Sequence, residues 1–154
     1  MNKVILFPEY KNEAIVKPFL YDLYSDKKLA TTYFNNITRP NNETEARQYV
    51  DDILSWQAYK GYIILYEGIM VGEVGYLANS PNPLNVVIRE QFQGKGIAKE
   101  AIKQIMALYP NKTFTATILS DNIASISLFK SLGFVKTGRD DYYQLDIYEY
   151  NYEL

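Results

Sequence analysis

The chain reads as an α+β or α/β domain built on one mixed sheet. Its hydrophobic period switches between extended and helical spacing in the order βααβββαβαββ, which is seven strands and four helices. A strand, helix, strand run over residues 84–119 implies a parallel neighbour reached by a right-handed crossover. The 154 residues carry no repeat, low-complexity tract or linker, so the whole of 1–154 is expected to form a single domain.

Each element has its own signal. Residues 3–7 form a β-rich run that ends at Pro8. Asn12-Glu13 opens a helix with Ile15, Val16, Phe19, Leu20, Leu23 and Tyr24 on one face, where Pro18 is tolerated only in the first turn or at a kink. Residues 26–42 read as a loop or short broken helix. Asn42 and Glu45 have capping-box spacing, and Ala46, Tyr49, Val50, Ile53, Leu54 and Gln57 continue at the helical period, with Trp56 beside them. Residues 62–66 and 69–77 flank Glu67-Gly68, which predicts a hairpin.

Residues 79–83 hold two prolines and two asparagines and are expected to be a loop before a strand at 84–88. A glycine turn and a helix stopping at Pro110 come next, then a strand at 113–119. Asp121-Asn122 is a candidate N-cap for a short helix closed by Gly133 at C′. The Tyr-rich tail predicts two strands bending near Leu145-Asp146, the last of which is free to pair with another copy at a sheet edge.

Composition narrows the chemistry. There is no cysteine and no histidine, which removes thiolate nucleophiles, the commonest general base and the commonest metal ligands. A net charge of −2 argues against nucleic acid as the main partner. Only four apolar residues separate Lys3 from Pro8, and no apolar run approaches membrane length, so the expectation is a soluble cytoplasmic protein with no membrane partner.

The central stretch is V-V-I-R-E-Q-F-Q-G-K-G-I-A-K-E-A-I-K, residues 86–103. Two glycines between a strand and a helix allow close backbone approach, and the helix's first amides and dipole favour a phosphate. Such turns also serve for chain reversal alone. A dinucleotide fingerprint would need Gly or Ala where Lys99 stands, and a P-loop would need Ser or Thr where Gly96 stands.

Gln91-Phe92-Gln93-Gly94-Lys95-Gly96 and the block from Asn122 through Leu128-Phe129-Lys130 to Gly133-Phe134 together resemble the GNAT superfamily of acyl-CoA-dependent N-acetyltransferases. In detail the chain looks most like the branch that includes ribosomal-protein N-terminal acetyltransferases. The resemblance implies an α/β/α layered fold with a mixed, mostly antiparallel sheet, and acetyl-CoA as cofactor. It places the pyrophosphate on the turn at Gln93, Gly94, Lys95, Gly96, Ile97 and Ala98, and the pantetheine along the main chain of Val86, Val87 and Ile88. It puts Asn122, Ser125, Phe129 and Lys130 beside the cofactor and makes the N–H near Ile88 an oxyanion donor.

Two departures bear on proton transfer. Many family members carry a tyrosine acid where this chain has Phe129, and Tyr76, Tyr142 and Tyr143 are candidate substitutes. The strand before the turn has Pro83 and Leu84 where some members have a glutamate. Glu73 is then the carboxylate of interest, in an apparent row with Ile69, Val71, Gly75 and Leu77. Partly buried, it would accept the amine's proton through water; as an edge charge or a lysine's partner it would have no such role.

Two function classes follow. One is an N-acetyltransferase acting on a primary amine of a small molecule or a peptide, with an acceptor groove shaped by the first two helices, residues 26–42 and the Tyr-rich tail. The other is a catalytically weak or inactive acyl-CoA-binding or regulatory domain. Either would be a monomer or a homodimer.

Overall fold

The computed structural model describes residues 3–26, 40, 42–78, 82–142 and 144–151. Most of 26–42, together with Tyr143, therefore lies outside the described residues. The strands are β1 (Val4–Pro8), β2 (Tyr59–Tyr66), β3 (Ile69–Leu77), β4 (Asn82–Ile88), β5 (Thr113–Leu119), β6 (Val135–Asp140) and β7 (Leu145–Asn151). The α-helices are α1 (Glu13–Ser25), α2 (Glu43–Ser55), α3 (Ile97–Leu108) and α4 (Ile123–Ser131). All seven strands form one sheet in the order β1-β2-β3-β4-β5-β7-β6, with only the β4–β5 neighbours parallel.

The sheet is buried on both faces. Beneath α3 pack Val74, Tyr76, Ile88 and Phe114 with Ile97, Ala101, Ile102 and Ile105. Against the other face, α1 and α2 press Val16, Leu20, Leu23, Val50 and Ile53 onto Ile63 and Val87. Several local signals act as expected. Asn42 Oδ1 accepts from Glu45 N at 2.8 Å, and Glu67 and Gly68 both take positive φ, the type I′ combination of a two-residue hairpin. Gly133 sits at φ 95°, while Phe134 N donates to Phe129 O and Gly133 N to Lys130 O, closing α4 in a Schellman motif.

Other expectations are corrected. Asn82 and Pro83 belong to β4: Asn82 Nδ2 donates to Thr113 O at 2.8 Å, and Pro83 pairs in register with Thr115. The β3–β4 ladder stops at Tyr76↔Leu84, because Pro83 lacks the N–H that would extend it. Pro18 is the sixth residue of α1, inside the helix, and Ile15 is exposed. Gln57 lies beyond α2, and Trp56 is half exposed at its C-cap. The tail turns between β6 and β7, where Tyr142 N donates to Asp140 Oδ1 and Gln144 takes φ 58°, so Leu145-Asp146 begins β7. β7 lies between β5 and β6, so it offers no free edge for a second copy.

The alternation along β3 is also broken. Ile64 pairs with Gly72 but Leu65 with Met70, leaving Val71 as a bulge. Val71 consequently packs with Val74 and Tyr76 under α3, whereas Glu73 lies on the opposite face, beneath α1.

Candidate active site

β4 and β5 pair only at Asn82↔Phe114 and Pro83↔Thr115 and then diverge. The gap between them is a small cleft lined by Asn85, Val86, Ala116, Asn122, Ser125 and Phe129, among others. A second cavity of about 240 Å³ is lined by Ile88, Gln93, Gly94, Gly96, Ile97 and Ala98, with Ser125 shared by both. Most of the candidate cofactor residues, separated by up to some forty positions in sequence, thus line two neighbouring cavities.

Hydrogen-bond direction shows which main-chain groups face it. Arg89 N donates across to Val71 O of the β3 side at 2.8 Å. Successive residues of a strand point their N–H and C=O groups to opposite sides, so Ile88 and Val86 present theirs away from β3, toward the gap, and Val87 toward β3. The Ile88 carbonyl is occupied by Gln93 Nε2 at 3.0 Å, which also ties the turn to the strand. The Val87 side chain is fully buried against α1 and α2 and takes no part in lining the gap.

At the head of α3, Gly94 and Gly96 both have φ 78°, a conformation that other residues adopt at a cost, and nothing lies within 4 Å of where a Cβ would stand. Gly96 is the N-cap and provides no side-chain acceptor, so the first amides of α3 face open space. Lys95 is exposed on this turn, and Lys130 is exposed on α4; neither lines the two cavities, unlike Lys99. Asn122 caps α4 by accepting from Ser125 N at 3.2 Å. Phe129, held by the Schellman turn and by the Phe134 ring at a centroid separation of 5.0 Å, closes one wall.

The candidate acids move apart. Tyr76 is core, packed on Phe114 and Tyr109, with its hydroxyl pushed up to about 12 by burial. Tyr142 is exposed in the β6–β7 turn, and Tyr148 and Tyr150 belong to the α3-side core. The tail therefore supplies packing at these positions and not the wall of an amine site.

Glu73 is fully buried, not partly. Tyr24 of α1 donates its hydroxyl to Glu73 Oε1, and Asn85 Nδ2 donates to the Tyr24 hydroxyl at 2.7 Å and approaches Glu73 Oε1 at 3.5 Å. The Glu9 carboxyl, also buried, meets that of Glu73. Were both ionised, each would offer only acceptors, leaving both Glu9 oxygens and Glu73 Oε2 unpartnered. One shared proton turns the contact into a hydrogen bond. Burial pushes both carboxyls up, and Glu73 raises Glu9 further.

Glu9, Tyr59 and Asn85 were not singled out in the sequence, and Tyr24 only as part of the apolar face of α1. Gly61 and Gly75 face each other across β2 and β3. These cross-strand partners leave room for the cluster: a Cβ on Gly61 would fall 2.4 Å from Glu9 Oε2, and one on Gly75 2.5 Å from the Tyr59 hydroxyl.

The family model of the acetyltransferase (GNAT) domain matches residues 12–135, most of the chain. The chain belongs to the GNAT acetyltransferase family. An N-acetyltransferase 9-like protein of Nematostella vectensis is 34% identical over 86 residues, which are 49% of this chain and 43% of that protein, so the match spans less than half of the relative. A domain from Methanocaldococcus jannaschii superposes with a TM-score of 0.77 at 26% identity, covering 97% of this chain and 98% of the other. The ribosomal alpha-N-protein acetyltransferase RimL in complex with coenzyme A gives 0.79 at 19%, covering 98% and 95%. Spermidine N-acetyltransferase from Vibrio cholerae, in complex with coenzyme A and spermine, gives 0.78 at 15%, covering 98% and 96%. The last two are likenesses of fold. Among the described residues no helix is long and apolar enough to cross a membrane.

Proposed function

We propose that this GNAT domain transfers an acetyl group from acetyl-CoA to a primary amine of a small molecule or peptide. The observation that carries the reading is the splay of β4 from β5, whose cleft shares Ser125 with the cavity at the head of α3. The solved relatives RimL and spermidine N-acetyltransferase, both crystallised with coenzyme A, support the choice of cofactor.

In this reading the amides of residues 93–98 hold the pyrophosphate, with Lys95 and Lys99 adding charge nearby. The pantetheine lies in the gap as an additional strand against Val86 and Ile88, between Asn122, Ser125 and Phe129 of α4. Val87 contributes only to the shape of β4, and Lys130 is left outside the contact.

A neutral amine attacks the thioester carbonyl, the Ile88 N–H receives the oxyanion, the attacking nitrogen releases its proton to water, and collapse of the intermediate breaks the C–S bond and expels the CoA thiolate. Fixing both reactants in one cleft supplies on the order of 7–11 kcal/mol in favourable cases. Phe129 offers no proton to the thiolate, but a thiol pKa of about 8.5 makes the thiolate a tolerable leaving group. Glu73 acts at one remove, through Tyr24 and Asn85, because its own oxygens do not reach the cleft.

The test is to incubate the protein with acetyl-CoA and a panel of primary amines while following free CoA. Amine-dependent CoA release supports the transferase. Tight acetyl-CoA binding by calorimetry without turnover on any amine would favour the acyl-CoA-binding domain instead.

A further inference from the structure

We propose that Asn85 positions the acceptor amine, its carboxamide oxygen accepting a hydrogen bond from the attacking nitrogen in the β4–β5 cleft. The inference rests on the acetyl-transfer reading and adds to it the group that receives the nucleophile.

Asn85 is the polar residue at the boundary between two environments. Its backbone pairs with Gly75 within the sheet, and its half-buried side chain lies on the α1 face and lines the cleft beside Val86 and Phe129. The orientation of its amide is set from behind. Nδ2 donates inward to the Tyr24 hydroxyl at 2.7 Å and lies 3.5 Å from Glu73 Oε1. A flipped amide would turn its carbonyl oxygen toward the Glu73 carboxylate, acceptor against acceptor, so the flip is disfavoured.

With Nδ2 committed, Oδ1 is the polar atom left over. The Tyr59 hydroxyl also meets this amide; burial raises its pKa and the contact works to lower it, so it is the N–H side that faces Tyr59. No hydrogen bond among the described residues reaches Oδ1. It is not among the buried unpartnered atoms either. An acceptor at the wall of this cleft matches an amine N–H, and it leaves the nitrogen lone pair free to attack. The buried pair of Glu9 and Glu73 anchors Tyr24, and Tyr24 anchors Asn85. Gly61 and Gly75 give the assembly its room.

The experiment compares wild type with Asn85→Leu and Tyr24→Phe, using spermidine, glycinamide and an unblocked peptide as acceptors. The readouts are kcat/KM for the best of these amines and the acetyl-CoA dissociation constant by calorimetry. The expected result for Asn85→Leu is a fall in amine kcat/KM of about tenfold or more, the scale of one lost hydrogen bond, with acetyl-CoA affinity within about twofold of wild type. Tyr24→Phe, which removes the shorter of the two bonds that hold Nδ2 inward and so loosens the amide, is expected to give a smaller fall of the same kind and carries the test if Asn85→Leu does not fold. Unchanged amine kcat/KM in a folded variant overturns the proposal and leaves the transferase reading intact. Wild-type protein that binds acetyl-CoA but acetylates none of the amines overturns both.

Discussion

At the residue scale the deciding contacts are those of Glu73. In sequence it is a lone carboxylate among apolar strand residues, a pattern shared by a general base and by a structural acid. Burial and the bonds to Tyr24 and Glu9 take its oxygens out of the cleft, which fits the proposed part of a support behind Asn85. The pH profile of amine kcat/KM for Glu73→Gln, measured from about pH 6 to pH 9, is therefore expected to keep the wild-type shape, set by the acceptor's own ionisation. Loss of one limb would make Glu73 the base. The Glu9–Glu73 pair also links folding to pH. Both carboxyls lie above their ordinary value of 4.5 in the folded protein. Between that value and the raised ones the native state holds more protons than the unfolded chain, so stability falls as pH rises through the window. Each unit of raising is about 1.4 kcal/mol. Thermal melts of Glu9→Gln should accordingly show a flatter decline than wild type from pH 5 to about pH 8; an identical decline would mean that the pair does not share a proton.

At the scale of elements, the head of α3 depends on Gly96 more than on any side chain around it. An alanine there would carry φ 78° at a cost of about 1–2 kcal/mol, although its Cβ meets no protein atom. That methyl would stand in the open space faced by the first amides. Gly96→Ala is expected to lower the melting temperature modestly and to weaken CoA binding by at least about tenfold in titration calorimetry; unaltered affinity would remove this turn from the cofactor site. The turn was legible in sequence because positive φ and a helix start both leave residue-type signals. So were Asn42, Glu67-Gly68 and Gly133. The bulge at Val71 was not, since it arises from how β2 and β3 match in register and leaves the composition of β3 unchanged. It is this one extra residue that parts Val71 from the face of Glu73.

At the scale of the whole molecule, β4 and β5 pair at only two positions and then part, so a ligand lying between them should tie the two halves of the sheet together. Saturating acetyl-CoA at about 100 times its dissociation constant adds roughly 2.7 kcal/mol. For a chain of this size that is a rise of roughly 5–10 °C in melting temperature. A thermal-shift assay showing no rise would deny the site its cofactor. The element order, the caps, the hairpin turn and the glycine turn with its second motif block were determined by the sequence itself, because each rests on backbone conformation or periodicity within a few neighbouring residues. The tertiary structure decided the place of β7 inside the sheet, the burial of Tyr76 and Tyr148, and the meeting of Glu9, Tyr24, Glu73 and Asn85. These depend on contacts between residues as far apart as Glu9 and Asn85, whose chemistry is set by what shields them from water, and no local pattern records that.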